Sequence, residues 1–347
     1  VLKGVFIMKK SCKRALAGIL AAAMALLAAG CDSASSGDTS GNATDSKSIG
    51  VIQYATHASL DNCYEGLLKG LADEGFVEGE NLTIDFQNAQ GEASTADAQA
   101  QTMAAKQYDM ICAIATPAAV SAYAATKADG TPVVFTAVND PVASQLVNSL
   151  EQPGTSCTGS SDVLPLESQL EMIRAFLPDA TKIGVLYTTS ESNSISVLQR
   201  FKELAPQYGF EVVEQGVTNS SEVATGAQAL AAKGVDCFNN FTDNNVVNNL
   251  TSELQAAQEA NIPVFGSEIE QVKNGCLASV SIDFVALGEE TGKIAGKILK
   301  GEATPADTPV YTVEDGTPVY NPDVMEQLGL TLPETFQDAQ AVTADSE

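Results

Sequence analysis

Ile49-Gly50-Val51-Ile52-Gln53-Tyr54 and Ile183-Gly184-Val185-Leu186-Tyr187 carry one signal twice, at an offset of 134 residues. Each is a short, nearly continuous apolar run, the pattern of a strand buried on both faces of a parallel sheet. A helical pattern follows each copy, formed by Leu60, Tyr64, Leu67, Leu68 and Leu71 in the first and by Ile195, Leu198, Phe201 and Leu204 in the second. Both patterns end in a glycine turn, Glu74-Gly75-Phe76 and Tyr208-Gly209-Phe210. Further on, Tyr108–Cys112 matches Val235–Phe238, and Thr131–Phe135 matches Asn261–Phe265. Two similar doubly wound α/β lobes in tandem explain the repeat most economically. Beyond it, Ala278–Ile282 reads as a strand, and Leu287, Thr291, Ile294, Ala295 and Ile298 as a helix face ending at Lys300-Gly301. A strand-like run, Pro309–Val313, precedes an irregular tail.

Upstream of the first lobe the composition changes. Lys9, Lys10, Lys13 and Arg14 precede the apolar stretch Ala15–Ala29, which is shorter than a membrane span and suits the h-region of an export signal. The stretch closes on Leu27-Ala28-Ala29-Gly30-Cys31, which resembles the lipobox of bacterial lipoproteins and makes Cys31 the expected lipidation site. Asp32 to Ser48 holds no aliphatic side chain larger than alanine and reads as a flexible tether. The expected order is a leader over 1–30, a tether over 31–47, and a body held outside the cytoplasm at a membrane surface.

The 347 residues include 18 Lys and Arg against 44 Asp and Glu, a net charge of −26. All the acid lies beyond residue 30, so the body would be repelled by nucleic acid and by anionic lipid. Of seven cysteines, setting aside Cys12 in the leader and Cys31 leaves five, an odd number with no CxxC spacing, expected to be buried thiols. A single histidine, His57, and the absence of GxSxG, HExxH, GxxxxGK[ST] and GxGxxG argue against hydrolase, metalloprotease and nucleotide chemistry. No cofactor or metal is expected, and no enzyme activity.

In open α/β sheets, ligands sit beyond the carboxyl ends of the strands. The loops there pair up between the halves: Ala55–Ser59 with Thr188–Ser194, Ala115–Pro117 with Thr242–Asn244, and Thr136–Asp140 with Gly266–Glu268. All are rich in hydroxyl, amide or carboxylate groups, which can cap the helices they open. Six of them converging between two lobes describes a polar cleft for a small ligand.

Several stretches resemble the substrate-binding lipoproteins of ABC importers, in the subgroup similar to aromatic amino acid (tryptophan/tyrosine/phenylalanine) binding proteins. They are Ile52–Asp61, Asp85–Gly91, Ile114–Ala119, Phe135–Pro141, Ile183–Ser194, Thr242–Asn244 and Leu287–Glu302. The resemblance implies the type I periplasmic-binding-protein fold, with two Rossmann-like lobes joined by a three-segment hinge. It assigns 48–160 plus 283–305 to one lobe and 161–282 plus 306–340 to the other, with crossings near Ser160–Asp162, Ser281–Asp283 and Pro305–Pro309. It further implies capture of an amino acid and delivery to an ABC permease and its ATPase. A ligand-sensing lipoprotein of the same fold, or a receptor for another solute such as a sugar, is the alternative.

An amino acid ligand would ask three things of the cleft. Its carboxylate suits a helix N-terminus, at Thr116 or in the loop of Ser190 and Asn193, with Thr242 and Asn244 alongside. Its ammonium suits a carboxylate near the hinge: Asp162, Asp243, Glu268 or Asp283, with Asp140 next, although Asp283 equally suits a helix N-cap. Without tryptophan in the chain, stacking on an aromatic ligand falls to Tyr54, His57, Phe135 or Tyr187.

Overall fold

The computed structural model describes residues 46–313 and 316–344. The leader, Cys31 and nearly all of the tether lie outside them. The first half alternates β1 (Lys47–Gln53), α1 (Ala58–Asp73), β2 (Leu82–Asn88), α2 (Ala93–Lys106), β3 (Met110–Ile114), α3 (Thr116–Thr126), β4 (Val133–Thr136) and β5 (Cys157–Ser161). The second half repeats the plan with α4 (Leu166–Phe176), β6 (Lys182–Thr188), α5 (Ser192–Leu204), β7 (Glu211–Val217), α6 (Val223–Ala231), β8 (Cys237–Asn239), α7 (Asn244–Asn248), α8 (Leu250–Glu259), β9 (Val264–Phe265), α9 (Ile269–Lys273) and β10 (Ala278–Ser281). The chain then runs through α10 (Phe284–Leu299), β11 (Tyr311–Thr312), β12 (Thr317–Tyr320), α11 (Pro322–Gln327) and β13 (Gln340–Ala341).

The first sheet has the order β2-β1-β3-β4-β5-β11 and the second β7-β6-β8-β9. Both are parallel, and their first four strands follow one order. The corresponding strands β1 and β6 are thus central, which is why both sequences are apolar throughout. The glycine turns also correspond: Gly75 (φ 85°) and Gly209 (φ 79°) are left-handed, and Phe76 and Phe210 donate back to Leu71 and Ala205. Backbone bonds from Leu277 to Val264 (2.7 Å) and from Gly266 to Ala278 (2.9 Å) carry the second sheet on to β10, with β12 and β13 beyond it.

The third crossing differs from the expectation. Tyr311 and Thr312 pair in parallel with Ser160 and Ser161, and Val310 is buried in the core of the first sheet. The residues from 306 to 312 therefore sit with the first lobe, while Thr317–Tyr320 pairs with β10. A two-residue strand carries too little periodicity for its sheet to be assigned from sequence.

Helix α10 returns to the first lobe and lies against α1. A Cβ added at Gly66 or Gly70 would collide with backbone of α10, and one at Gly288 or Gly292 with backbone of α1. These glycines let the helices approach closely and tie the segment after the second crossing to the first lobe. All five body cysteines, Cys63, Cys112, Cys157, Cys237 and Cys276, are buried and unpaired.

Candidate functional site

Where the carboxyl ends of the two sheets face each other lies a small cavity. From the first lobe come His57, Ser59 and Leu60 at the start of α1, Ala115 and Thr116 at the start of α3, Ala137 and Asn139 after β4, and Phe284 opening α10. From the second come Asn193 on α5, Thr242, Asn244 and Val247 around α7, and Glu268 after β9. Asp162, the residue after β5, stands where the chain first crosses.

The lobes touch across this cavity. Asn139 Nδ2 donates to Thr242 Oγ1 at 3.1 Å, Ser59 Oγ to Glu268 Oε2 at 2.8 Å, and Ser196 Oγ to Asp140 Oδ2 at 2.7 Å. His57 Nε2 approaches Asn244 Oδ1 at 3.4 Å. The structure is a closed form.

Inside, four polar atoms of the lining are buried without a partner: Thr116 Oγ1, Asp162 Oδ1, Asn193 Oδ1 and His57 Nδ1. Each such group costs roughly 1–3 kcal/mol, so closure around nothing is unfavourable and a ligand that pairs them recovers the loss. Burial pushes the Asp162 carboxyl up to about 7 and Glu268 to about 7, while it pulls His57 down to about 4, leaving the imidazole neutral at neutral pH. A cation beside Asp162 would restore its charged form.

The first-lobe wall includes strained backbone. Ala115 holds φ 80° and ψ 154°, a region normally left to glycine, and Ala137 holds φ 55°. Such strain persists only where the surroundings impose it. Ala115 thereby turns the chain into α3, whose N-terminus has no side-chain cap and Pro117 in its first turn. Free amides and the helix dipole there favour an anion, with the unpartnered Thr116 hydroxyl beside them.

Seven of the expected ligand residues line the cavity: His57, Thr116, Asp162, Asn193, Thr242, Asn244 and Glu268. Five do not. Tyr54 is a core residue whose hydroxyl donates to the Gly91 carbonyl at 2.8 Å. Asp140 caps its own turn and bonds Ser196 across the lobes. Ser190 is exposed. Asp243 is wholly buried and accepts four bonds, from Thr188 N and Oγ1, Ser194 Oγ and Val246 N, which leaves nothing for an ammonium. Asp283 is exposed and caps α10 through Val285 and Ala286. Glu268 lines the cavity, yet its oxygens are taken by Ser59 and by the amides of Glu270 and Gln271.

Of the aromatic candidates, Phe135 is core and Tyr187 lies in a separate groove beside Ile195 and Leu198. The flat apolar surface comes from Phe284, with Leu60 and Val247 near it. The sequence places Ser59, Asn139 and Glu191 in the cleft loops without singling them out, and leaves Phe284 outside them. Phe284 had one signal, its place directly after a crossing.

Residues 48–343 match the family model for ABC transporter substrate binding protein. The chain belongs to that family. Its members work outside the cytoplasm, binding a small molecule for an ABC transporter, and the two lobes are those of the type I periplasmic-binding-protein fold. A tyrosine-binding protein of Clostridioides difficile is 37% identical over 97% of this chain and 95% of its own length. The ABC domain from Streptococcus pneumonia in complex with L-Trp is 35% identical, covering 86% of this chain and all of its own, with a TM-score of 0.82. A ligand-free, open substrate-binding protein with adhesive properties from Clostridium difficile is 40% identical at the same coverage, yet its TM-score is 0.65. The more identical relative is the less similar in shape, as expected when a closed form is set against an open one.

Proposed function

We propose that this protein captures an aromatic amino acid between its lobes and delivers it to an ABC permease and its ATPase. The observation that carries the reading is the set of four unpartnered polar atoms around one closed cavity. Asp162 Oδ1 takes the ammonium, Thr116 with the α3 N-terminus takes the carboxylate, and Phe284 with His57 flanks the side chain. The tryptophan complex and the tyrosine-binding relative agree in ligand class. A thermal-shift screen of the whole protein against amino acids and sugars tests it. Tryptophan, tyrosine or phenylalanine should raise Tm; a rise with sugars alone overturns it.

Anchoring is proposed through lipidated Cys31. A Cys31→Ser form should leave the membrane fraction, and recovery there at the wild-type level contradicts the anchor.

A further inference from the structure

We infer that Glu191 is a positioning residue that turns the second-lobe wall of the cleft into hydrogen-bond acceptors. The inference rests on the ligand reading above and adds what holds that wall in place. Glu191 is 2% exposed and does not itself line the cavity. Its Oε2 accepts from Asn244 Nδ2 at 2.7 Å, from Asn244 N at 3.2 Å and from Asn193 Nδ2 at 3.3 Å. The Asn193 amide nitrogen also faces the Thr242 carbonyl at 3.4 Å. Burial and the neighbouring Asp243 push this carboxyl up to about 8, but Oε2, met by three N–H groups, accepts whether or not the unpartnered Oε1 carries the proton, so both amides present nitrogen to it and oxygen away from it.

The consequences reach the cavity at two points. Asn193 Oδ1 is left buried and unpartnered in the lining. Asn244 Oδ1 faces His57 Nε2, so the neutral ring keeps its proton on Nε2 and offers Nδ1, also unpartnered, as a lone pair. With Asp162 Oδ1, the closed cavity then holds three free acceptors against one free hydroxyl, Thr116. An ammonium brings three N–H donors. Glu191 thus favours the donor end of a zwitterionic ligand without touching it. The cluster of Glu191, Asn193 and Asn244 lies wholly within the second lobe, so it persists whether the cleft is open or closed.

The test compares wild type, Glu191→Gln and Glu191→Ala in the whole protein, titrated with L-tryptophan and with indole-3-propionate, which keeps the carboxylate and ring but lacks the ammonium. The indole-3-propionate Kd divided by the tryptophan Kd should fall about tenfold in Glu191→Ala, because freed amides can turn their nitrogens to the cavity. Glu191→Gln, which keeps an acceptor oxygen, should recover part of it. Equal weakening of both ligands, with the ratio unchanged, means that Glu191 only supports the loop and overturns the inference. A ligand-free readout separates this from failure of the ligand reading. The side-chain amide protons of Asn193 and Asn244 should exchange slowly in wild type and quickly in Glu191→Ala, whatever the protein binds. Fast exchange in wild type overturns the inference by itself.

Discussion

The two walls of the cleft solve the same problem by different means. The first lobe presents an uncapped helix start, reached through the strained Ala115, together with the side chains of Thr116, His57 and Phe284, none of them held by a carboxyl group of its own lobe. The second lobe presents side chains braced by buried carboxylates, Asp243 with four donors, Glu268 with three and Glu191 with three. Between them Asp162, at the crossing, keeps one oxygen free. Carboxylates that look equivalent along the chain are therefore told apart by how many donors each already serves. Asp243 and Glu268 have both oxygens taken, and Glu191 keeps Oε1 free but away from the cavity lining, so these shape the wall; Asp162, with a free oxygen in the lining, is left for a ligand.

The largest expected effect breaks this contrast at Asp162. Asp162→Asn should weaken binding of an aromatic amino acid by roughly 2–5 kcal/mol in titration calorimetry, with the fold's stability little changed. The same weakening from Glu268→Gln alone, with Asp162→Asn neutral, would move the ammonium to the second lobe.

Next comes Asp243. Asp243→Ala strands four donors within the second lobe and should lower unfolding stability by about 2–4 kcal/mol in denaturant titration. An unaltered midpoint would mean that the carboxylate is not the brace described.

A third test sharpens the comparison away from the cleft, at Glu253. This residue is fully buried on α8, accepts from Asn240 Nδ2 at 2.6 Å, and has its carboxyl raised to about 8 by burial. Its folded value stands above the ordinary 4.5, so the folded protein favours the protonated form. The stability this confers is complete below about 4.5 and is lost as pH rises through 8. Melting temperature should fall between about pH 5 and 8, and Glu253→Gln should flatten that fall. His57 works in the opposite sense. Its lowered value means that stability is lost as pH drops from 6.5 toward 4.

The smallest effect lies at the rim. Ser196→Ala removes a bond to Asp140 that joins the two lobes, so it should weaken binding by about 0.5–1.5 kcal/mol through the closed state, leaving the unfolding midpoint in place. Unchanged affinity would remove this contact from closure.

The repeat of Ile49–Tyr54 in Ile183–Tyr187 was enough to read both lobes, because central parallel strands are apolar on both faces and leave a continuous signal. The glycine turns at Gly75 and Gly209 marked the same helix end twice. Tyr311–Thr312 was not assignable to a sheet, since two residues carry no period. At the cleft, the loops were legible because strand ends and helix starts show in the sequence. The side-chain directions within them were not. Tyr54 lies at a strand exit as expected, yet its ring is buried in the core and its hydroxyl bonds Gly91. Asp243 and Asp162 are both acids after strands, and only the donors around them, from Thr188, Ser194 and Val246, separate their roles.

The most direct test of the account is a crystal structure of the protein with bound L-tryptophan. The account predicts the ammonium within hydrogen-bond distance of Asp162 Oδ1, the carboxylate at Thr116 and the first amides of α3, and the indole against Phe284. A ligand whose ammonium rests on Asp243 or Asp283, or one seated in the Tyr187–Ile195 groove with the cleft empty, would contradict it.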